Sequence, residues 1–177
     1  MKIFIVGPEN IDKLKYANAL VAIDDNLNIC KYFTSDRHFD GMIGEYLFHM
    51  DISDIELSFK NNVLYFIDYN DKKITGITYD DYESSDIIFI NLNHFNMIPP
   101  FSLPVSDMIL VWLDSCEHNE NLQKEMIETN YLYETIEENN IPYLYFINED
   151  INDIINIVNN YINADEATRR EILEENS

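Results

Sequence analysis

Positive charge is what this sequence has least of. Its 177 residues carry 11 lysines and arginines against 33 aspartates and glutamates, a formal net charge of -22. A field of that sign repels nucleic acid, nucleotides and anionic membranes and favours cationic partners. Direct nucleic-acid binding and membrane association are therefore not expected. Long apolar runs are missing too: none approaches the roughly 18 residues of a membrane span, and the N-terminus lacks the apolar core and cleavage site of a signal peptide. These absences predict a soluble, intracellular protein. The two cysteines, Cys30 and Cys116, lack metal-ligand spacing and are too few for a disulfide framework. Cys30 lies in an apolar run and reads as a buried, inert thiol. The four histidines, His38, His49, His94 and His118, are dispersed, with no pair at zinc-ligand spacing. No metal and no cofactor are expected. Glycine, proline, alanine and arginine are thin beside asparagine, isoleucine, aspartate, tyrosine and lysine, a usage common in AT-rich genomes, those of many large DNA viruses included.

What is present is enough apolar residue, 46% of the chain, for one well-cored domain. Lys2 to Val6 is a short apolar run that Gly7-Pro8 breaks. Asn10 to Lys13 then opens a segment with Leu14, Ala17, Leu20 and Val21 at helical spacing, a buried strand, a tight turn and an amphipathic helix. Leu27 to Phe33 reads as a second strand, and Met42 to Met50 as a short helix. Asp51 to Phe59 reads as a further helical turn with Ile52, Ile55 and Phe59 facing inward. Val63 to Asp68 and Ile74 to Tyr79 form a hairpin inserted around residues 63–79. Asp86 to Leu92 and Asp107 to Asp114 are continuous apolar strands. A long helix, Glu120 to Asn139, turns Leu122, Met126, Tyr133 and Ile136 inward and Glu125, Glu128, Glu137 and Glu138 outward. A last strand, Ile141 to Ile147, leads through Asn148-Glu149-Asp150 into a helix over Ile151 to Ile162. Apolar strands alternating with helices predict an α/β fold: a three-layer α/β/α sandwich on a mainly parallel five-stranded sheet. One domain is expected over 1–163, with a polar tail over 164–177 and a marginal helix at Glu166 to Glu174.

Three stretches carry a family resemblance. They are Lys2 to Leu20, with Gly7 and Lys13 at Walker A spacing; Asp107 to Asp114, as the strand before a lid; and Asn140-Ile141-Pro142-Tyr143 onward, as the terminal strand and helix. The whole order resembles the P-loop nucleoside and nucleotide kinases. The resemblance implies a phosphate site at Gly7 and Lys13, with Arg37 after the second strand as an acceptor-phosphate ligand. The motif is degenerate, however. Asp12 stands where the second glycine belongs and Leu14 where a hydroxyl holds magnesium. At an effective dielectric near 20, a carboxylate about 4 Å from a phosphate oxygen is repelled by roughly 4 kcal/mol. The strand ending at Asn91 lacks a magnesium-directing acid, and Ser115 to Asn140 contains no arginine to serve a lid. Lys13 reads either as a remnant phosphate ligand or as a solvated side chain at a helix start, with Asn10 or Asp12 near the cap.

No catalytic constellation stands out. Surplus aromatics in the hairpin and the proline-rich loop, Tyr65, Tyr69, Tyr79, Phe95 and Phe101, are what a protein contact surface carries. The expected function is a catalytically inactive P-loop kinase-like protein acting as a binding or assembly module. Its partner has a basic surface, or is the chain itself, as in a minor capsid-type component of a large DNA virus, where it would be virion-associated. A divergent nucleoside or nucleotide kinase is the alternative, and an acidic decoy for basic nucleic-acid-binding proteins a third.

Overall fold

A computed structural model of the protein describes residues 1–36, 46–70, 72–99, 102–114 and 122–176. The chain divides into two compact units, one of Met1–Leu27 with Ile87–Ser177 and one of Asn28–Asp86.

The first unit is built on four parallel strands in the order β6-β1-β7-β8, where β1 is Lys2–Gly7, β6 Ile87–Asn91, β7 Met108–Asp114 and β8 Tyr143–Ile147. Ile5 lies opposite both Phe89 and Val111, and Val111 opposite Leu144. The two central strands are buried on both faces, which is why Ile3 to Val6 and Met108 to Leu113 read as unbroken apolar runs. Helix α1 is Lys13–Ile23, α4 Leu92–Phe95, α5 Leu122–Asn139, α6 Ile151–Asn163 and α7 Glu166–Asn176. The chain leaves β1 for β6 on one side, returns past β1 to β7, and continues to β8. Right-handed crossovers then put α1 on one face and α4 with α5 on the other. The packing agrees, since α1 meets α6 and α4 meets α5. This is the layered α/β fold with a parallel sheet that the strand pattern predicts. The reversal of direction matters for function. Neighbours β1 and β7 send their C-terminal connections to opposite faces, opening a crevice beyond Gly7 and Asp114.

The second unit carries a mixed sheet, β3-β2-β5-β4, of Leu47–His49, Tyr32–Thr34, Lys73–Thr78 and Leu64–Asn70. The hairpin β4–β5 is antiparallel, with Ile67 opposite Gly76, and Lys72 in its turn sits at φ 66°. Gly76 has a steric reason: a Cβ there would come within 2.3 Å of the Phe66 carbonyl and 2.6 Å of the Phe33 ring. Helix α2, Ile52–Lys60, and the short α3, Tyr79–Ser84, complete the unit. Asn28 and Asp86 tie its two ends together, Asp86 N–H donating to the Asn28 carbonyl (2.8 Å) and Asn28 N–H to Asp86 Oδ2 (3.0 Å).

Several expectations need correction. The second strand is only Tyr32–Thr34 and joins the hairpin, so the parallel sheet has four strands among the described residues, not five, and the hairpin belongs to a sheet of its own. Within the helix expected over Met42 to Met50, residues 47–49 are instead a strand parallel to β2; 42–45 lie outside the described residues. Helix α2 exists, but of the stripe expected inward only Ile55 is buried, Ile52 and Phe59 being 54% and 63% exposed. In helix α5, Ile136 is buried as expected, but Met126 and Tyr133 are exposed and Leu132 is buried in their place. The marginal helix expected at Glu166 to Glu174 is α7, Glu166–Asn176, which belongs to the first unit. No helix among the described residues is long and apolar enough to cross a membrane.

Candidate functional site

The crevice at the C-terminal ends of β1 and β7 is bounded by the loop Gly7 to Lys13. Gly7 ends β1 against β7, where a Cβ would lie 2.7 Å from the Leu113 carbonyl oxygen. The sheet therefore demands glycine there before any ligand does. Pro8 to Asp12 then fold on themselves. Ile11 N–H donates to the Pro8 carbonyl (3.2 Å) and Lys13 N–H to the Ile11 carbonyl (3.0 Å). Asp12 is the N-cap of α1, its Oδ1 accepting from Lys15 N–H at 3.3 Å. No residue from Gly7 to Lys13 has a positive φ.

Lys13 is not the solvated side chain that a helix start predicts. It is 5% exposed, and its Nζ donates to the carbonyls of Pro8 (2.7 Å) and Ile11 (3.0 Å), which uses two of its three N–H donors. Burial pulls its pKa down from 10.5 to about 8, against the upward pull of the Glu9 and Asp12 carboxylates.

Beside this loop a cavity of about 270 Å³ is lined by Asp12, Lys15 and Tyr16 of the α1 end, Asp114 of β7, and Asn148 and Glu149 beyond β8. Three carboxylates face one ammonium. Tyr145 Oη donates to Asp114 Oδ2 at 2.8 Å, and its ring is tilted against Trp112 with ring centres 4.6 Å apart, which fixes that carboxylate at the cavity wall. Burial and the Asp12 and Asp150 carboxylates raise the Tyr16 pKa. The sequence reading missed Lys15, Tyr16 and Glu149. The direction reversal of the strand order is the signal that finds them, since it predicts a crevice at these strand ends.

Gly7 and Lys13 thus stand at the two ends of the loop that bounds the crevice, but neither lines the cavity, and Arg37 lies outside the described residues. The aromatics scatter. Tyr69 and Tyr79 are exposed on the second unit; Tyr65 stacks on Tyr82 at 3.7 Å between ring centres and meets Tyr79 edge-on at 5.9 Å. Phe95 is no surface anchor: it is 1% exposed and packs edge-to-face on Phe4 in the core of the first unit. Phe101 lies outside the described residues. Cys30 is buried; Cys116 lies outside the described residues.

The parallel sheet, its crossovers and the crevice beside a helix N-terminus define a layered α/β fold. Compared with family models and with curated proteins, the sequence matches none. Among solved structures, the chain is similar to guanylate kinase from Anaplasma phagocytophilum, with a TM-score of 0.55 over 99% of this chain and 94% of that one, at 13% identity. At that identity the likeness is one of fold.

Proposed function

We propose that the chain uses a P-loop kinase fold to bind a protein partner and does not transfer phosphoryl groups. One observation carries the reading: the loop Gly7 to Lys13 has turned its donors inward. A phosphate cradle needs successive backbone N–H groups converging on an anion, through alternating right- and left-handed residues. Here the N–H groups of Ile11 and Lys13 and the Lys13 ammonium bond to carbonyls of the same loop, and no residue is left-handed. Asp12 and Glu149 add negative charge to the adjoining cavity, and Leu14 offers magnesium no hydroxyl. The exposed Tyr69 and Tyr79 supply contact residues on the second unit, and the net charge selects a basic partner. Such a module serves equally in an assembled particle.

A divergent nucleoside or nucleotide kinase is the rival, favoured by the burial of Lys13 in the loop that follows β1. Thermal unfolding with and without Mg-ATP separates the two. The binding-module reading expects no change in Tm up to millimolar Mg-ATP. Stabilisation, which reaches about 2.7 kcal/mol at a hundredfold excess over Kd, overturns that reading if Lys13→Ala abolishes it.

A further inference from the structure

Among its described side chains, helix α5 leaves four large apolar ones uncovered: Met126 is 57% exposed, Ile127 68%, Tyr131 50% and Tyr133 49%. Leu132 and Ile136 supply its buried face. At 100° per residue, Met126 and Tyr133 stand one above the other along one ridge, and Ile127 and Tyr131 along a second. Between the ridges come Asn130, Glu134 and Glu137, with Glu138 beside them. From Met126 to Asn139 the chain has no lysine, arginine or histidine. Among the described residues, Glu134, Glu137 and Glu138 enter no ion pair. Like charges three and four residues apart weaken the helix that bears them, and a cation lying between the ridges relieves that repulsion.

We propose that this face docks a lysine- and arginine-rich segment of a protein partner. The aliphatic stems of its basic side chains lie along the two apolar ridges, and their charged heads reach Glu134 and Glu137. The proposal rests on the binding-module reading and names the surface and the partner's chemistry. Charge complementarity excludes the other occupants. A second copy would set the same carboxylates face to face across a twofold axis, and nucleic acid or an anionic membrane would meet them with phosphates.

The test uses the full chain and a fluorescein-labelled, 18-residue helical Lys/Ala peptide, with a Glu/Ala peptide as control, read by fluorescence anisotropy. The Lys/Ala peptide is expected to bind, more weakly as salt rises toward about 1 M. Glu134→Gln with Glu137→Gln should weaken binding at least tenfold. So should Ile127→Ser with Tyr131→Ser, with circular dichroism unchanged. Neutralising Glu171 and Glu174 of α7, an equal change in net charge, should leave affinity as it was. Equal weakening by the α7 pair would reduce the interaction to diffuse charge and overturn the α5 site, while leaving the binding-module reading in place. Absence of binding, or sedimentation as a dimer that the Ile127→Ser and Tyr131→Ser changes dissolve, overturns it as well. Failure of the broader reading shows separately, as stabilisation by Mg-ATP.

Discussion

Burying an ammonium costs several kcal/mol, and Lys13 recovers only part of that through the Pro8 and Ile11 carbonyls and the nearby Glu9 and Asp12 carboxylates. The consequence is a pH dependence of definite sign. The folded chain releases the Lys13 proton near 8 and the unfolded chain near 10.5. Below pH 8 both states are charged and the cost is constant. Between 8 and 10.5 the unfolded chain holds more protons, so this group makes the protein more stable as pH rises, by at most about 1.4 kcal/mol per unit. Tyrosines whose pKa is raised by burial, Tyr32 and Tyr161 among them, pull the other way above pH 10, so the comparison must be with a variant. Urea unfolding of the wild type and Lys13→Met at pH 7.5, 9 and 10 should show the wild type gaining relative to the variant. A constant difference would mean that Lys13 is solvated. Gly7 makes a second residue-scale prediction. Gly7→Ala brings a methyl to 2.7 Å from the Leu113 carbonyl and should destabilise by roughly 1–3 kcal/mol, outweighing the 0.4–1 kcal/mol or so that a stiffer unfolded chain returns. An unchanged urea midpoint would show that β1 and β7 part freely there. Spacing alone located both residues. It could not say that one is glycine for the sheet's sake, which depends on β7, distant in sequence, nor that the other turns back onto the carbonyls of its own loop.

The elements of the first unit were legible because their patterns are local and unambiguous. Strands covered on both faces read as continuous apolar runs, and α6 shows its helical stripe and its Asp150 cap in sequence, Asp150 Oδ1 accepting from Asn152 N–H at 2.8 Å. The second unit was less so. Tyr32–Thr34 and Leu47–His49 are three-residue strands, too short for a period to declare itself. The stripe Ile52, Ile55, Phe59 has helical spacing, but spacing does not say whether a core exists to receive it. Helix α7 has no fully buried residue, Ile172 and Leu173 being half-buried, so polar contacts carry much of its attachment. The Arg169 guanidinium donates to the carbonyls of Tyr161 (3.0 Å) and Ile162 (2.8 Å) in the last turn of α6, and lies 5.5 Å from the centre of the Tyr161 ring. It satisfies carbonyls left over at a helix C-terminus and meets the negative end of the dipole. Arg169→Ala should therefore raise amide exchange across Glu166–Asn176 by about tenfold or more, a loss of about 1.4 kcal/mol or more, with exchange in Ile154 to Val158 unchanged. Protection kept in α7 would place its anchor on β8, against which it also packs.

At the scale of the molecule, charge dominates. Composition announced the imbalance before any element was placed, yet composition says nothing of how like charges are distributed over two units. Of the described ion pairs, Lys73 with Asp36 is held at 2.6 Å and Arg170 pairs with Glu166 on the exposed face of α7. These relieve little of a net charge of -22, because exposed pairs contribute at most about 1 kcal/mol each. The remaining carboxylates repel one another more strongly in the compact state than in the expanded unfolded chain, so folding works against the field. Screening should release that strain. Raising sodium chloride from about 0.01 to 1 M shortens the screening length from roughly 30 to 3 Å, less than the spacing of most surface charges. Calorimetry at pH 7 is expected to show Tm rising steadily across this range, with sodium sulfate excluded as a probe because it also strengthens apolar burial. A flat or falling Tm would mean that the surface carboxylates are compensated where they stand, and would remove the reason for expecting a cationic partner at all.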